Sequence, residues 1–322
     1  MSRATPLVAI VTPVYNGARY LPETLECVQA QTYPTIVHVV LDNASTDETP
    51  EIIRSFTNQR VPLIAVRNDA TLPLEENWNA AVARVPAEAK YIRILCADDT
   101  MTLEAVSRMV AVAERNPGVG LVGCEHHRSG ATEPSGWPRD RERFASQEAL
   151  EHILLGKGML LATHVLMLRD AAYLSLPLFR PGLLASDTEA CLRILTKYDW
   201  SFVHEDLAMT RDHPHSITSI HAAPIQAQFF EGLVLLKEFG PFAFSPERFA
   251  EVLARFRRHY RRRILRWRFS GHSKLYVHHM ACLREIGEAP TILDNVDALV
   301  DLVACKAGLR PGWTGHPFFS ES

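Results

Sequence analysis

The sequence shows no cysteine framework, no long apolar segment and no signal-peptide pattern in its first residues. Its six cysteines include no CxxC pair and lie at positions 27, 96, 124, 191, 282 and 305. This scatter excludes the usual zinc spacings and a disulfide scaffold. No apolar run approaches the ~18–20 residues that span a bilayer, and Met1–Pro13 lacks the charged-then-apolar layout of a signal peptide. These absences predict a cytoplasmic protein with reduced thiols.

Neither sign of charge dominates the chain. The formal net charge is -3 at pH 7, with 47% hydrophobic and 22% charged residues, as in ordinary soluble proteins. With no recognised binding module either, this balance argues against a nucleic-acid partner. The charge is uneven, however, because residues 1–240 are net acidic and residues 241–322 are net basic. The length of 322 residues favours one large domain plus an extension.

The phosphate-binding loops of two large nucleotide-binding classes are missing where they would be expected. No GxxxxGK[ST] occurs, and the first apolar run, Leu7–Val11, leads into Pro13 and Asn16-Gly17 without a glycine-rich turn. The chain therefore lacks the phosphate-binding loops that P-loop and Rossmann dinucleotide sites require. A nucleotidyltransferase would also need a Gly-rich, Lys-containing first loop, which this chain does not have.

The chain does contain a regular alternation of apolar runs and helical stripes. Strands are predicted at 7–11, 36–41, 61–66, 91–95 and 119–124. The first four are each followed by a stripe of helical period, which predicts parallel βαβ units with right-handed crossovers. Residues 126–145 have the composition of a loop. Beyond it we expect strands near 160–168 and 200–210, a helix near 187–197 and mostly helices after 222.

The segment Tyr91–Asp99 is an apolar strand that ends in two adjacent carboxylates, Asp98 and Asp99. Neighbouring acids repel each other unless a cation or hydrogen-bond donor offsets their charge. Ligands of open α/β sheets bind at this carboxyl end of the strands, and Mg²⁺ shares such oxygens with substrate phosphates. The alternative is a solvated turn in which Asp99 or Thr100 caps the next helix.

Several other junctions are polar, and the whole set resembles the family-2 inverting glycosyltransferases with the GT-A fold. The motifs cover about residues 5–220 and are Pro13-Val14-Tyr15-Asn16, Asp42-Asn43-Ala44-Ser45-Thr46-Asp47, Asn77-Trp78-Asn79-Ala80-Ala81, Cys96-Ala97-Asp98-Asp99, Ser186-Asp187 and Arg211-Asp212-His213-Pro214-His215-Ser216-Ile217-Thr218. The resemblance implies an α/β fold with a mixed sheet flanked by helices. It implies a catalytic domain over 1–221, with a nucleotide-sugar half to about 125 and an acceptor half over 126–221. A mainly helical extension would follow over 222–322.

The resemblance also implies the reaction. A sugar of the hexosyl or deoxyhexosyl class would move, with inversion, from a nucleotide-diphosphate sugar to a hydroxyl of a glycan, lipid-linked or small-molecule acceptor. Bacterial cell-surface polysaccharide or another glycoconjugate would be the product. Mn²⁺ or Mg²⁺ would neutralise the diphosphate, held mainly by Asp99, with Asp98 on the ribose or sharing the metal. His213 is implied as a further ligand, the alternative being an exposed loop histidine.

The implied donor-binding residues lie at the first two junctions. They are Pro13, Val14, Tyr15, Asn16, Asp42 and Asn43. Tyr15 can present an aromatic face to the base, or it can be a core aromatic that caps the sheet. Asp42 or Asn43 would accept a hydrogen bond from the base. Many relatives have a second Asp where this chain has Asn43, and an amide both donates and accepts, so uracil, thymine and guanine all stay open.

Asp187 is the implied general base that deprotonates the acceptor hydroxyl, although a residue at that position can equally cap the helix it begins. Two residues depart from the family pattern. Cys96 replaces the first acid of the metal motif, and a soft thiol is a poor ligand for a hard cation. Ser186 replaces the usual Glu. Both departures keep open a non-catalytic sugar-nucleotide-binding or scaffold protein of the same fold.

A basic amphipathic helix is predicted over residues 253–268. Its arginines are Arg255, Arg257, Arg258, Arg261, Arg262, Arg263, Arg266 and Arg268, and its apolar stripe is Leu253, Phe256, Tyr260, Ile264 and Trp267. Such a helix can lie on an anionic membrane, which would place the protein peripherally at the inner face. It can also expose a solvated arginine face while its stripe packs on the catalytic domain, or it can contact another copy of the chain.

Overall fold

The computed structural model describes residues 5–128, 130–214, 216 and 218–309. In this part of the chain the strands are β1 Leu7–Val14, β2 Ile36–Asp42, β3 Leu63–Arg67, β4 Ala89–Ile94, β5 Thr100–Met101, β6 Val119–Arg128, β7 Ala131–Glu133, β8 Arg143–Phe144, β9 Leu166–Leu168 and β10 Asp199–Thr210. The helices are α1 Leu21–Gln29, α2 Thr49–Ser55, α3 Leu74–Val82, α4 Ala105–Arg115, α5 Ser146–Leu154, α6 Arg169–Tyr173, α7 Ser186–Leu195, α8 Ala223–Ile225, α9 Gln228–Ala243, α10 Pro246–Phe269, α11 Ser273–Glu285 and α12 Ile292–Lys306.

The strands form one mixed sheet in the order β3-β2-β1-β4-β9-β6-β10-β5, with β7 beside β6 and β8 beside β10. The first four strands of this order are parallel. Strand β9 lies between β4 and β6 and is antiparallel to both. A mixed sheet flanked by helices, followed by a helical C-terminal region, is therefore confirmed.

Burial explains why the central strands are apolar throughout. Every residue of β2 is buried, as expected of a parallel strand that is covered on both faces. The register pairs Val14 of β1 with Asp42 of β2. On the other side of β1, the Leu95 N–H donates to the Val11 carbonyl across 2.9 Å. The carboxyl ends of β1, β2 and β4 therefore meet at one edge of the sheet.

The chain divides into two compact units. The first comprises the described residues of Met1–Ala149 together with Gly158–Asp212, and the second comprises Leu150–Lys157 with those described within His213–Ser322. The functional division into a catalytic domain that ends at residue 221 and an extension stays a prediction.

In the second unit, the arginine-rich helix α10 packs against the unit's own helices. Its buried residues are Val252, Phe256, Tyr260, Ile264 and Trp267. Arg258 and Arg262 both pair with the buried Asp301 of α12, at 3.0 Å and 2.7 Å. Further ion pairs join Arg257 with Glu288 and Arg261 with Asp294. Much of the basic face is thus neutralised within the unit.

None of the helices in the described ranges combines the length and the apolarity that crossing a bilayer requires.

Two stretches differ from the sequence prediction. The predicted loop over 126–145 contains the end of β6 together with β7 and β8. Strands β7 and β8 have only three and two residues, too few to give a strand period. The strand predicted over 160–168 is reduced to β9, preceded by a 3₁₀ turn at Ala162–His164.

A GxGxxG pattern of letters does occur at 118–123, but it lies along β6 and does not open a helix. There Gly120 and Gly123 let the side chains of Tyr198 and Trp200 pack closely against the strand. A Cβ at Gly120 would lie 2.5 Å from the Cβ of Tyr198, and one at Gly123 would lie 2.4 Å from the Trp200 ring. The pattern is therefore not a dinucleotide-binding loop.

Candidate functional site

The candidate site lies at the carboxyl edge of the sheet, where β1, β2 and β4 end. Pro13 and Val14 are buried at the end of β1, next to the site. Tyr15 follows them with 52% of its surface exposed. An exposed aromatic ring at this edge is available to a planar ligand, so the core-aromatic interpretation of Tyr15 does not describe this structure.

Hydrogen bonds tie the loop after β1 to the loop after β2. The Thr46 N–H donates to Asn16 Oδ1 across 2.8 Å, and the Asn16 N–H donates to the Ser45 hydroxyl across 2.9 Å. The Gly17 N–H donates to the Thr49 hydroxyl across 2.9 Å. Asn16 has a φ of 49°, a left-handed conformation that asparagine tolerates better than most residues. The two loops are therefore held as one wall.

Asp42 fixes this wall from inside the sheet. Its carboxylate is buried, accepts the Ser45 N–H across 2.9 Å and forms an ion pair with Arg67. Arg67 also donates to the Ser45 carbonyl across 2.8 Å. Arg67 belongs to none of the motifs named above. A charged residue at the end of β3, at the same edge, was the available signal.

Asn43 is likewise bonded to protein groups at both ends of its amide. Its Oδ1 accepts the Leu72 N–H and an amide hydrogen of Asn68, each at 2.9 Å, and its Nδ2 donates to the Leu72 carbonyl at 2.9 Å. Asn77, from the Asn-Trp-Asn motif of α3, accepts from the same Asn68 across 3.1 Å. In this structure Asn43 shapes the loop, and its contact with a base stays a prediction.

The turn that carries the two acids is held by helix α1. The Thr24 hydroxyl lies 3.0 Å from the Ala97 carbonyl oxygen and 2.8 Å from that of Asp99. Within the turn, the Asp99 N–H donates to the Cys96 carbonyl across 3.1 Å. No motif pointed to Thr24, because in sequence it is an ordinary polar residue of a helix.

Asp99 is buried and ionises with difficulty. Burial, followed by the neighbouring charge of Asp98, raises its pKa to about 7. The backbone N–H of Arg211 opposes this shift by donating to Asp99 Oδ1 across 3.1 Å. Arg211 comes directly after β10, so the sheet itself delivers this donor. A carboxylate so placed gains most from a positive charge beside it.

Three potential metal ligands meet at this turn. One ligand atom from each of Cys96, Asp98 and Asp99 lies within 4.8 Å of the other two, a grouping found among the described residues. Burial and the charges of Asp99, Asp98 and Asp187, in that order, raise the pKa of the Cys96 thiol well above its usual value. Two carboxylates and a sulfur suit a divalent cation of borderline softness. The two carboxylates fit the divalent cation that the sequence predicted, whereas the sulfur favours a softer ion than Mg²⁺.

Asp187 is the second residue of helix α7. Its negative charge is one of those that raise the pKa of the Cys96 thiol. Its Oδ1 accepts the Thr188 N–H across 2.7 Å. Burial raises the pKa of Asp187, while N–H groups of Thr188 and Ala162 lower it. A carboxylate with a raised pKa is a stronger base than an exposed one. Its role as the base stays a prediction.

Asn79 positions the chain segment that leads into α7. Its Nδ2 donates to the Phe179 carbonyl across 2.7 Å, and the Phe179 N–H donates to Asn79 Oδ1 across 2.9 Å. The adjacent Trp78 packs edge-to-face on the Phe179 ring, with centroids 5.0 Å apart. The Asn-Trp-Asn motif thus joins the donor loops to the segment before Asp187.

His213 begins the second unit, directly after Asp212, which ends the first. Its role as a metal ligand stays a prediction. Two other residues of the same motif, His215 and Ile217, lie outside the described residues.

Comparisons with known proteins point in one direction. The model of a family described as Glycosyl transferase family 2 matches residues 9–174. A putative teichuronic acid biosynthesis glycosyltransferase, TuaG of Bacillus subtilis, is 26% identical over 163 residues, which are 48% of this chain and 62% of that protein. Glycosyltransferase GlyG of Streptococcus pneumoniae is 34% identical over 119 residues, which are 36% of this chain and 38% of GlyG. The matches thus span less than two thirds of these relatives.

Two solved structures show the same fold at low identity. S. aureus TarS 1-349 in complex with UDP-GlcNAc has a TM-score of 0.64 at 14% identity, over 92% of this chain and 81% of that one. The mannosyltransferase PcManGT from Pyrobaculum calidifontis, in complex with GDP-Man and Mn²⁺, has a TM-score of 0.58 at 20% identity, over 95% and 81%. The GT-A fold that the sequence predicted is confirmed.

Proposed function

Because the chain belongs to glycosyl transferase family 2, we propose that it is a glycosyltransferase. It would transfer one sugar from a nucleotide-diphosphate donor to an acceptor hydroxyl, with inversion and with the help of a divalent cation. The observation that carries this proposal is the edge of the sheet. There the wall built by Asn16, Asp42 and Asn43 stands beside the cluster of Cys96, Asp98 and Asp99.

The donor would lie along this edge. Tyr15 offers its exposed ring to the base, and the wall formed by Asn16, Asp42 and Asn43 sets the shape of the base-binding side. Asp99 would be the main ligand of the cation, with Asp98 on the ribose or sharing the metal. A bound cation would supply positive charge for the departing diphosphate.

Asp187 would act on the acceptor. Its carboxylate takes the proton of the acceptor hydroxyl while the hydroxyl oxygen bonds to the anomeric carbon and the bond from that carbon to the diphosphate oxygen breaks. The clamp between Asn79 and Phe179 keeps the entry to α7 in place. Attack from the side opposite the leaving group gives the inverted product.

The named relatives support a donor and product class. TarS was solved with UDP-GlcNAc and PcManGT with GDP-Man and Mn²⁺, and TuaG is named for teichuronic acid biosynthesis. We extend these to this chain as a uridine or guanosine diphosphate sugar, Mn²⁺ as a working cation, and a cell-surface polysaccharide or other glycoconjugate as product. Residues 1–221 would form the catalytic domain.

Contact of the 253–268 helix with a membrane is part of the proposal, although ion pairs already occupy part of its basic face. Co-sedimentation of the full chain with vesicles tests it. Binding to vesicles that contain anionic lipid, and not to neutral ones, would support peripheral attachment. Equal binding to anionic and neutral vesicles would contradict peripheral attachment.

A thermal-shift panel tests the proposed site. UDP, GDP, TDP and CMP are each added with and without Mn²⁺, because a ligand that binds the native state raises the melting temperature by mass action. We expect one nucleoside diphosphate to stabilise the protein only when Mn²⁺ is present, and Asp99→Ala to remove that effect. No response to any nucleotide would favour a non-catalytic scaffold of the same fold.

A further inference from the structure

The three potential metal ligands Cys96, Asp98 and Asp99 include one sulfur atom. An all-oxygen site would suit Mg²⁺ better. Cys96 is half-buried at the end of a central strand, unlike Cys124 and Cys191, which are fully enclosed in the core. Its ligand atom lies within 4.8 Å of a carboxylate oxygen of both Asp98 and Asp99. The turn that holds it is fixed through Thr24. The thiol therefore lies beside the two carboxylates at the same turn.

The spacing suits direct coordination. A cation about 2.3 Å from a sulfur and about 2.1 Å from an oxygen holds those two ligands no more than about 4.4 Å apart. The three ligand atoms lie within 4.8 Å of one another, so an inward movement of the side chains would bring all three onto one ion. A role in the hydrophobic core alone would not require the sulfur to be near two carboxylates.

We propose that Cys96 binds the active-site cation as a thiolate and thereby sets the metal preference of the enzyme towards borderline, thiophilic ions such as Co²⁺ and Zn²⁺ and away from Mg²⁺. This inference rests on the proposed metal site. When the metal binds, a sulfur–metal bond replaces the S–H bond and the proton leaves to solvent. The three ligands together then carry one negative charge more than a divalent ion neutralises, which the N–H of Arg211 on Asp99 helps to offset.

The preference follows from ligand softness. Thiolates select Zn²⁺ and similar ions, whereas Mg²⁺ favours carboxylate and water oxygens. Mn²⁺ lies between these extremes and would still bind. Replacing the sulfur by a carboxylate, as in Cys96→Asp, should bring Mg²⁺ binding closer to that of Co²⁺ and narrow the gap between them.

Cobalt provides a readout that does not depend on turnover. The full chain is titrated with Co²⁺ alone while near-ultraviolet absorption is recorded, since a thiolate bound to Co²⁺ gives a charge-transfer band. We expect the band in the wild type and in Cys27→Ser, the matched control with another half-buried thiol in the same unit. We expect it to be absent in Cys96→Ser, with Co²⁺ affinity weakened at least about tenfold, the low end of what lesser changes around metal ligands cost.

The outcomes separate this inference from the proposed function. Co²⁺ binding that depends on Asp99 but shows no thiolate band overturns the assignment of Cys96 and leaves the metal site standing. A band that persists in Cys96→Ser also overturns the assignment. If the wild type does not bind Co²⁺, both the assignment of Cys96 and the metal site are overturned. Circular dichroism of each variant confirms that a lost band does not come from unfolding.

Discussion

The side chain of Asp99 accepts a hydrogen bond from the backbone N–H of Arg211 across 3.1 Å, although 112 positions separate the two residues. Strand β5, directly after Asp99, pairs with β10, directly before Arg211, and this pairing brings them together. The acid is buried beside Asp98, and this single N–H does not restore an ordinary pKa. The buried Asp99 carboxylate therefore costs stability, and a bound cation would offset that cost.

Asp99→Asn should stabilise the protein in metal-free buffer. The native pKa of about 7 lies above the unfolded value of 3.8, so the native state holds the proton more tightly and stability falls as pH rises from 3.8 to 7. Asparagine keeps an acceptor for the Arg211 N–H. We expect the variant to gain up to about 4 kcal/mol in unfolding free energy at pH 8, less at pH 5 and nothing below pH 4.

Urea unfolding at these pH values measures the effect. Asp170→Asn is the control, because Asp170 has an 83% exposed side chain and lies elsewhere on the first unit. Mn²⁺ should stabilise the wild type and not Asp99→Asn. A variant that is less stable than the wild type at pH 8 would contradict the account of Asp99.

Asn79→Ala should loosen the segment before α7. The variant loses both hydrogen bonds to the Phe179 backbone and leaves a partly buried N–H and carbonyl without this partner, which costs about 2 kcal/mol. We expect lower kcat with little change in nucleotide affinity, since the clamp lies on the acceptor side. The exposed Asn58→Ala is the control. Unchanged stability and kcat would show that the clamp is dispensable.

Asp301→Asn should destabilise the second unit. The substitution removes the partner shared by Arg258 and Arg262, whose side chains are only 23% and 16% exposed. Loss of one member of such a buried group costs about 3–5 kcal/mol. Asp297→Asn on the exposed side of the same helix is the matched control. Equal denaturation midpoints for both variants would mean that the arginine face does not depend on this pairing.

The strand ends were predictable because each carries its own signal. Buried parallel strands are continuous apolar runs, and the polar residues that follow, from Asn16 to Asp99, mark the edge where ligands bind. The order of the motifs then identified the fold. Short strands such as β7 and β8 were missed, because two or three residues at a sheet edge leave no periodicity to detect.

The supporting contacts of the site were much harder to predict. Thr24 and Arg211 act through long-range pairing that no local pattern records. Asn43 and Asn79 were recognised as parts of motifs, but their amides turn out to bind backbone groups of Leu72 and Phe179. A motif shows which residues belong together, whereas only the folded chain shows which protein groups already occupy their hydrogen bonds.

The measurement that tests the central claim most directly compares wild type, Asp187→Asn and the control Asp170→Asn in two assays, with the nucleotide sugar selected by the thermal-shift panel. The first assay follows donor hydrolysis or transfer, and the second follows donor binding with Mn²⁺. We expect Asp187→Asn to lose about 10²–10⁴-fold in rate, the usual worth of a general base, while it binds donor as the wild type does. Full activity in Asp187→Asn would contradict the assignment of the base and the inverting mechanism built on it.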